Sequence, residues 1–253
     1  MVIFSALLAA AFGAMLGQRA RAQRLLGPAQ IELDEDAQVV MHLAQHEARS
    51  RGLSPSPLYL LYALVQDEGI AGVIRAIGGD VEAIEDRLFR ALDEDVAAPG
   101  EDSVRIHDTS RALAWAVFVA SRHERGAGCT ELWGGLVQTA PDTARLTAEG
   151  GADPAEVLFA LVHGEVAEPN LMGRDVAVVL VNDDITTQEL VVDILREVFG
   201  LEPELAAARM QEAHTRGSGI IGRYPLPAAR ARVVEGHRVA RQRGSPLWLR
   251  LEP

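Results

Sequence analysis

Asn182-Asp183-Asp184, Thr186, Met210 and His214 concentrate the most chemical capacity in this chain. They offer an amide carbonyl, two carboxylates, a hydroxyl, a thioether and an imidazole. By spacing alone they also suit ordinary structure. Short polar residues make turns, and carboxylates favour helix starts. His214 alone would be well placed at a helix C-terminus. Other patterns compete for attention. Gly217-Ser218-Gly219-Ile220-Ile221-Gly222 formally matches the dinucleotide fingerprint G-x-G-x-x-G. That fingerprint needs a strand before it and a helix after it, and the residues here read in the inverse order. His42 and His46 lie one helical turn apart, yet no third ligand is in register, and neither His46-Glu47 nor His123-Glu124 completes H-E-x-x-H. Ser218 lacks an elbow sequence on both sides. Cys129 opens a helix, where a thiolate could gain from the dipole, but a small residue filling a first turn explains it as well.

Composition removes whole classes of function. All 24 basic residues of the 253 are Arg. Without Lys there is no Walker-type phosphate loop and no Lys Schiff base. One cysteine excludes an internal disulfide framework and a cysteine zinc site. A net charge of −12 argues against general nucleic-acid binding. No catalytic set assembles, so the expectation is a protein without enzymatic activity, cofactor or metal.

The elements that would position these residues fall into segments. Residues 1–28 carry three Arg and no acid, with an apolar run from Met1 to Leu16 ahead of them. A secretory signal places its positive charge first, so the order is wrong for export. Sixteen helical residues rise about 24 Å, short of the roughly 30 Å hydrocarbon core. Residues 1–17 stay open between a short membrane tether, with the trailing Arg cluster holding the body of the protein cytoplasmic, and the plainer reading of a mispredicted start or a docking helix. Residues 29–165 carry most of the acid. They repeat at an offset of 72: Ala44 meets Ala116, Leu60 meets Leu132, Leu64-Val65-Gln66 meets Leu136-Val137-Gln138, and Gly78-Gly79 meets Gly150-Gly151. Each copy reads as several short amphipathic helices stopped by a glycine pair, so this region is expected to be all-helical and pseudo-symmetric. Residues 166–173, with Pro169, Asn170 and Gly173, read as a linker.

Residues 174–253 switch to a mixed pattern. Val176 to Val181 is an apolar run of strand length. Thr186-Thr187-Gln188-Glu189 reads as a capping box with Thr186 as the cap. A helix follows through Val198, another from Pro203 to His214, a strand over Ile220–Tyr224, a helix over Ala228–Arg241 and a strand over Leu247–Leu251. The order β-α-α-β-α-β predicts a small α+β sandwich, with helices on one face of an antiparallel sheet.

Two resemblances follow. Residues 31–165 resemble the double Clp N-terminal repeat of bacterial Clp unfoldases. The resemblance rests on Ser56-Pro57-Leu58-Tyr59-Leu60-Leu61-Tyr62-Ala63-Leu64, Thr130-Glu131-Leu132-Trp133 and Val162-His163-Gly164. The resemblance implies a domain that binds adaptors and substrates and performs no chemistry, and without Lys no ATPase module is expected behind it here. Residues 174–252 resemble the ClpS adaptor family, which delivers N-degron substrates to the Clp unfoldase–protease. The carriers are Val178-Val179-Leu180-Val181-Asn182-Asp183-Asp184, Thr186, Glu189, Val191-Val192-Asp193-Ile194-Leu195, Phe199, Ala208, Met210, Ala213-His214, Gly217, Gly222 and Pro246-Leu247.

By position, that resemblance implies that Asn182, Asp184 and His214 bind a free α-amine, with Asp183 in support. It implies that Leu180, Thr186, Gln188, Val191, Met210, Ala213 and Leu247 line a pocket for a bulky apolar first side chain. Arg232 stands where the family has a basic residue facing the unfoldase's N-terminal domain. A free α-amine is a cation at neutral pH with three donors. Each charge-assisted bond contributes about 1.5–3 kcal/mol, and burial of a Leu or Phe side chain adds a similar amount. Three departures bear on specificity. Gln188 replaces the usual gating Met, Thr187 replaces the usual Pro, and Ala213 replaces Val. The implied partners are N-degron proteins and a Clp unfoldase N-terminal domain, in trans or as this chain's own residues 29–165 in cis. The rival expectation is a regulatory scaffold or decoy of the Clp machine that does not bind N-degrons.

Overall fold

The computed structural model describes residues 33–95, 102–121, 126–164, 175–183, 186–245 and 247–252. The segment 1–28 and the linker 166–173 named above lie outside them. The chain divides into two compact units, Met1–Pro154 and Ala155–Pro253.

The described part of the first unit is helical. Helices α1 (Glu35–Ser50), α2 (Pro57–Val65), α3 (Glu68–Ala76) and α4 (Val81–Glu94) are followed by α5 (Asp102–Ser121), α6 (Cys129–Thr139) and α7 (Pro141–Glu149), and the next helix, α8 (Pro154–His163), falls from Ala155 onward in the second unit. Helix α6 begins 72 residues after α2, and α7 and α8 begin 73 residues after α3 and α4. The sequence offset is therefore reproduced as a series of helices.

Local chemistry sets these boundaries. Asp34, Asp67 and Asp80 cap α1, α3 and α4 by accepting the N–H groups of Ala37, Ile70 and Ala83. Proline occupies the first turn of α2 and α7, where no N–H is needed. The glycine pairs do more than stop helices. Gly78 and Gly151 take positive φ (89° and 85°), while Gly79 and Gly150 permit close approach. A Cβ on Gly150 would lie 2.2 Å from Ile84 Cγ1, and the Gly150 carbonyl accepts the Asp80 N–H at 3.1 Å. Trp115, Trp133 and Tyr59 are the largest fully buried side chains among the described residues of this unit.

The second unit holds strand β1 (Asp175–Val181), helices α9 (Gln188–Glu197) and α10 (Pro203–Arg216), strand β2 (Ser218–Pro225), helix α11 (Leu226–Gln242) and strand β3 (Trp248–Glu252). The element order is the one expected. The three strands form an antiparallel sheet in the order β2-β1-β3. Val176, Val178 and Leu180 of β1 share a core with Val191, Ile194, Leu195, Ala206, Ala213, Val233 and Leu249. Ala177, Val179 and Val181 are buried as well, so β1 is covered on both faces, while the helices of this unit share a core with Val176, Val178 and Leu180. An unbroken apolar run is what such a strand requires.

The G-x-G-x-x-G stretch lies between α10 and β2, a helix before and a strand after, and each glycine has a backbone reason. Gly217 is the left-handed cap of α10 (φ 84°). Gly219 lets β2 approach α10, since a Cβ there would meet the Ala213 nitrogen at 3.1 Å. Gly222 follows a bulge at Ile221, where the register with β1 shifts, and leaves room for the Tyr224 ring.

One helix groups differently from the sequence pattern. Helix α8 continues the repeat series, but Ala155 and Phe159 pack in the core of the second unit.

Among the described glycines of the first unit, Gly135 of α6 approaches a neighbouring backbone most closely. A Cβ there would lie 2.2 Å from the Ala112 carbonyl oxygen of α5. Gly135→Ala should therefore lower unfolding free energy by about 1–3 kcal/mol through forced separation of the two helices. Gly72→Ala, in α3 with open space around it, should instead gain about 0.5–1 kcal/mol from helix propensity. Urea melts of both variants check this, and equal effects would contradict the packing.

Candidate functional site

Asn182 is the first residue beyond β1. Its N–H donates to the Gly217 carbonyl at 2.9 Å. Gly217 in turn donates its own N–H to Ala213 at 2.8 Å, closing the last turn of α10. This chain of bonds holds the end of β1 against the helix turn that carries His214. Asn182 is half-buried and His214 is exposed. Asp184 lies outside the described residues.

Asp183 is buried (8% exposed) and acts on its own loop. Its Oδ1 accepts the Thr186 N–H at 2.5 Å, and its Oδ2 accepts the Thr186 hydroxyl at 2.7 Å. The Thr186 Oγ1 also sits 2.6 Å from the Ser245 Oγ. Thr186 has a single hydroxyl proton, given to Asp183, so Ser245 donates to Thr186. The loop after β1 is thereby tied to the turn that enters β3. Ser245 is buried and was not singled out from the sequence. Its partner stands 59 residues away, so no local pattern marks it.

The cap of α9 also differs from expectation. Thr187, not Thr186, accepts the Leu190 N–H, at 3.3 Å. The Thr186 hydroxyl is committed to Asp183 and Ser245, so the next threonine serves the helix.

Four residues expected to line the apolar pocket, Leu180, Val191, Ala213 and Leu247, lie buried in one cluster, and Met210 packs against it half-buried. They come from β1, α9, α10 and the approach to β3, so the fold gathers side chains far apart in sequence. Gln188 is the first residue of α9, exposed and outside this cluster. Arg232 sits apart on α11. Its guanidinium lies 4.6 Å from the Tyr224 ring centroid and donates to the Ala228 carbonyl at 3.3 Å. Among the described residues no three His, Cys, Asp or Glu side chains gather as a metal site. Burial and the carboxylates of Asp67, Asp34 and Asp36 push the Cys129 thiol up to about 12, which disfavours the thiolate. No helix among the described residues is long and apolar enough to cross a membrane.

A three-stranded antiparallel sheet with helices α9, α10 and α11, an acceptor-bearing loop after its central strand and an apolar cluster beside it make a small α+β unit. Residues 173–250 match the family model described as ATP-dependent Clp protease adaptor protein ClpS. The Clp adapter protein ClpS of Nitratidesulfovibrio vulgaris is 41% identical over 92 residues, covering 36% of this chain and 88% of that protein. Its counterpart in Desulforapulum autotrophicum is 45% identical over 75 residues, covering 30% and 72%. The Leptospira biflexa counterpart is 43% identical over 74 residues, and there the match spans 66% of the relative's length. A solved structure of Agrobacterium tumefaciens ClpS2 bound to L-phenylalaninamide matches at 29% identity and a TM-score of 0.31, over 31% of this chain and 95% of that one. Through its C-terminal unit, the chain belongs to the ClpS adaptor family.

The Asp183–Thr186–Ser245 clamp has a measurable consequence. Thr186→Val removes a donor to a buried carboxylate and the acceptor for Ser245. It should cost about 1–3 kcal/mol in chemical denaturation. An unchanged midpoint would contradict the clamp.

Proposed function

We propose that the C-terminal unit recognises proteins through a free α-amine and a bulky apolar first side chain, and delivers them to a Clp ATP-dependent unfoldase–protease. The observation that carries this reading is the placement of Asn182 and the His214-bearing turn at one end of β1, with Leu180, Val191, Met210, Ala213 and Leu247 in the adjoining core. In the proposed complex, the Asn182 carbonyl, the Asp184 carboxylate and the His214 imidazole accept the three N–H groups of the amine. Asp183 does not contact substrate. It holds the loop by pinning Thr186, which fits a supporting role.

The helical region is proposed as a double Clp N-terminal repeat, with no chemistry of its own. The delivery partner is then an unfoldase N-terminal domain of the same kind, and Arg232 belongs to the surface that meets it. Arg232 is already packed on Tyr224, so a partner meets a guanidinium of fixed position.

Specificity follows from the pocket's composition. Acetylating the substrate amine removes its charge and places an acyl group where acceptors converge, leaving them unpaired. Ala213 is smaller than the Val usual in the family, which leaves more room, so large aromatic first residues should fit best. Gln188 at the start of α9 brings a polar tip where an apolar gate is usual, so exclusion of β-branched first residues should be relaxed.

Fluorescence anisotropy with short peptides tests the assignment on the full chain. A Phe-headed peptide should bind. Its N-acetylated form, or the variants Asp184→Ala and His214→Ala, should weaken binding roughly a hundredfold or more. Equal affinity for Ala- and Phe-headed peptides, or binding indifferent to acetylation, would overturn this reading in favour of a regulatory scaffold.

A further inference from the structure

Strand β3 is an edge of the sheet, and its outward N–H groups belong to Leu249 and Leu251. Both are met by imidazoles. The Leu249 N–H donates to Nε2 of His237 at 3.0 Å, and the Leu251 N–H donates to Nε2 of His163 at 3.4 Å. His237 comes from α11, pressed onto β3 at Gly236, where a Cβ would lie 2.4 Å from Leu249 Cδ1. His163 comes from α8, which precedes the residues that match the family model.

Helix α8 is seated along this edge by three residues one turn apart. Ala155 and Phe159 enter the core, and the His163 ring lies 4.7 Å from the Phe159 ring. Arg230 of α11 stacks over Phe159 at 5.3 Å and pairs with Glu156 at 2.8 Å. That ion pair is partly exposed and contributes little by itself. The seat therefore depends on Phe159 and on the His163 lone pair.

An imidazole that accepts at Nε2 must carry its proton on Nδ1, so the geometry assigns this tautomer to both rings. We propose that α8 is a cover over the outer edge of β3, latched by His163 and released when that imidazole takes up a second proton. Protonation would turn the Nε2 lone pair into a donor facing another donor, the Leu251 N–H. The charged groups around the latch also oppose it. Arg250, ion-paired to Glu252, faces His163 from β3. From α11 come His237, in electrostatic contact with it, and Arg241 beyond, while His237 itself stacks on Trp248. A helix C-terminus ordinarily favours imidazolium. Here burial and Arg250 outweigh it and lower His163 to about 4, and burial lowers His237 to about 3.

The direction follows from linkage. The uncovered imidazole takes its proton near 6.5 and the latched one near 4. The cover is therefore fully favoured above about pH 6.5, weakens as pH falls between those values, and changes no further below about pH 4 through this group. Edge strands are ordinarily blunted because they template pairing with other chains. Release of α8 would free the Leu251 N–H and the seat of Phe159, while His237 keeps the Leu249 N–H closed.

Hydrogen exchange on the full chain, corrected for intrinsic rates, tests this. Between pH 7 and pH 4 the opening equilibrium of the α8 amides should rise roughly a hundredfold relative to those of α9. His163→Gln, whose amide carbonyl accepts without titrating, should abolish that difference. Parallel behaviour of α8 and α9, or an unchanged response in His163→Gln, would overturn the proposal. Should the variant misfold, side-chain nitrogen NMR of the unaltered protein decides: bare Nε2 on His163 at pH 7 supports the latch, and a protonated Nε2 refutes it.

Discussion

The end of α10 is the constraint on which the C-terminal unit depends. A helix that reaches Arg216 and must be followed at once by a strand needs a residue with positive φ, and Gly217 supplies it. With its N–H turned back to Ala213, the Gly217 carbonyl remains an acceptor, and the Asn182 N–H satisfies it. One glycine thus ends a helix, starts β2 and joins the loop after β1 to the turn carrying His214. Gly219 then lets β2 lie close under α10. Asn182 and the turn carrying His214 stand some thirty residues apart in sequence, and this junction ties their backbones together.

Much of this was legible in the sequence because it is written locally. Val176 to Val181 reads as a strand from its apolar run, and the glycines mark where helices end. The repeat shows in the 72-residue offset before any helix is seen. What was not legible depends on partners distant in sequence. Ser245 fixes Thr186 across 59 residues, and that bond moves the helix cap one residue onward to Thr187. A local reading of Thr-x-x-Glu has no means of knowing that the first hydroxyl is already spent. Burial of both faces of β1 is also a tertiary fact, although an apolar run without alternation is compatible with it.

Helix α8 shows the same limit at the level of a whole element. Its length, its glycine neighbour Gly151 and its place in the repeat all assign it to the preceding helices. Yet Ala155, Phe159 and His163, four residues apart, point a face at the sheet unit. Amphipathic spacing states that a face is buried, not against what. The distinguishing signal is His163, a titratable residue at a position where a plain core would hold an apolar one. It tolerates burial because a strand edge offers a donor that would otherwise go unpaired.

The two imidazole settings in this unit also explain each other. At β3 the lone pairs of His163 and His237 are held in a dry place, so they act as acceptors with no help from a ligand. His214 is exposed, and in the free protein water competes for its nitrogen. A hydrogen bond to a cation there gains its full worth only once water is excluded. In the proposed complex the substrate's own first side chain, set over Met210 and Ala213, is what would exclude it. The apolar and polar halves of recognition are then not independent contributions. A small first residue loses its own burial and also leaves the amine's bonds wet, so discrimination against it should exceed what the missing methylenes alone would give.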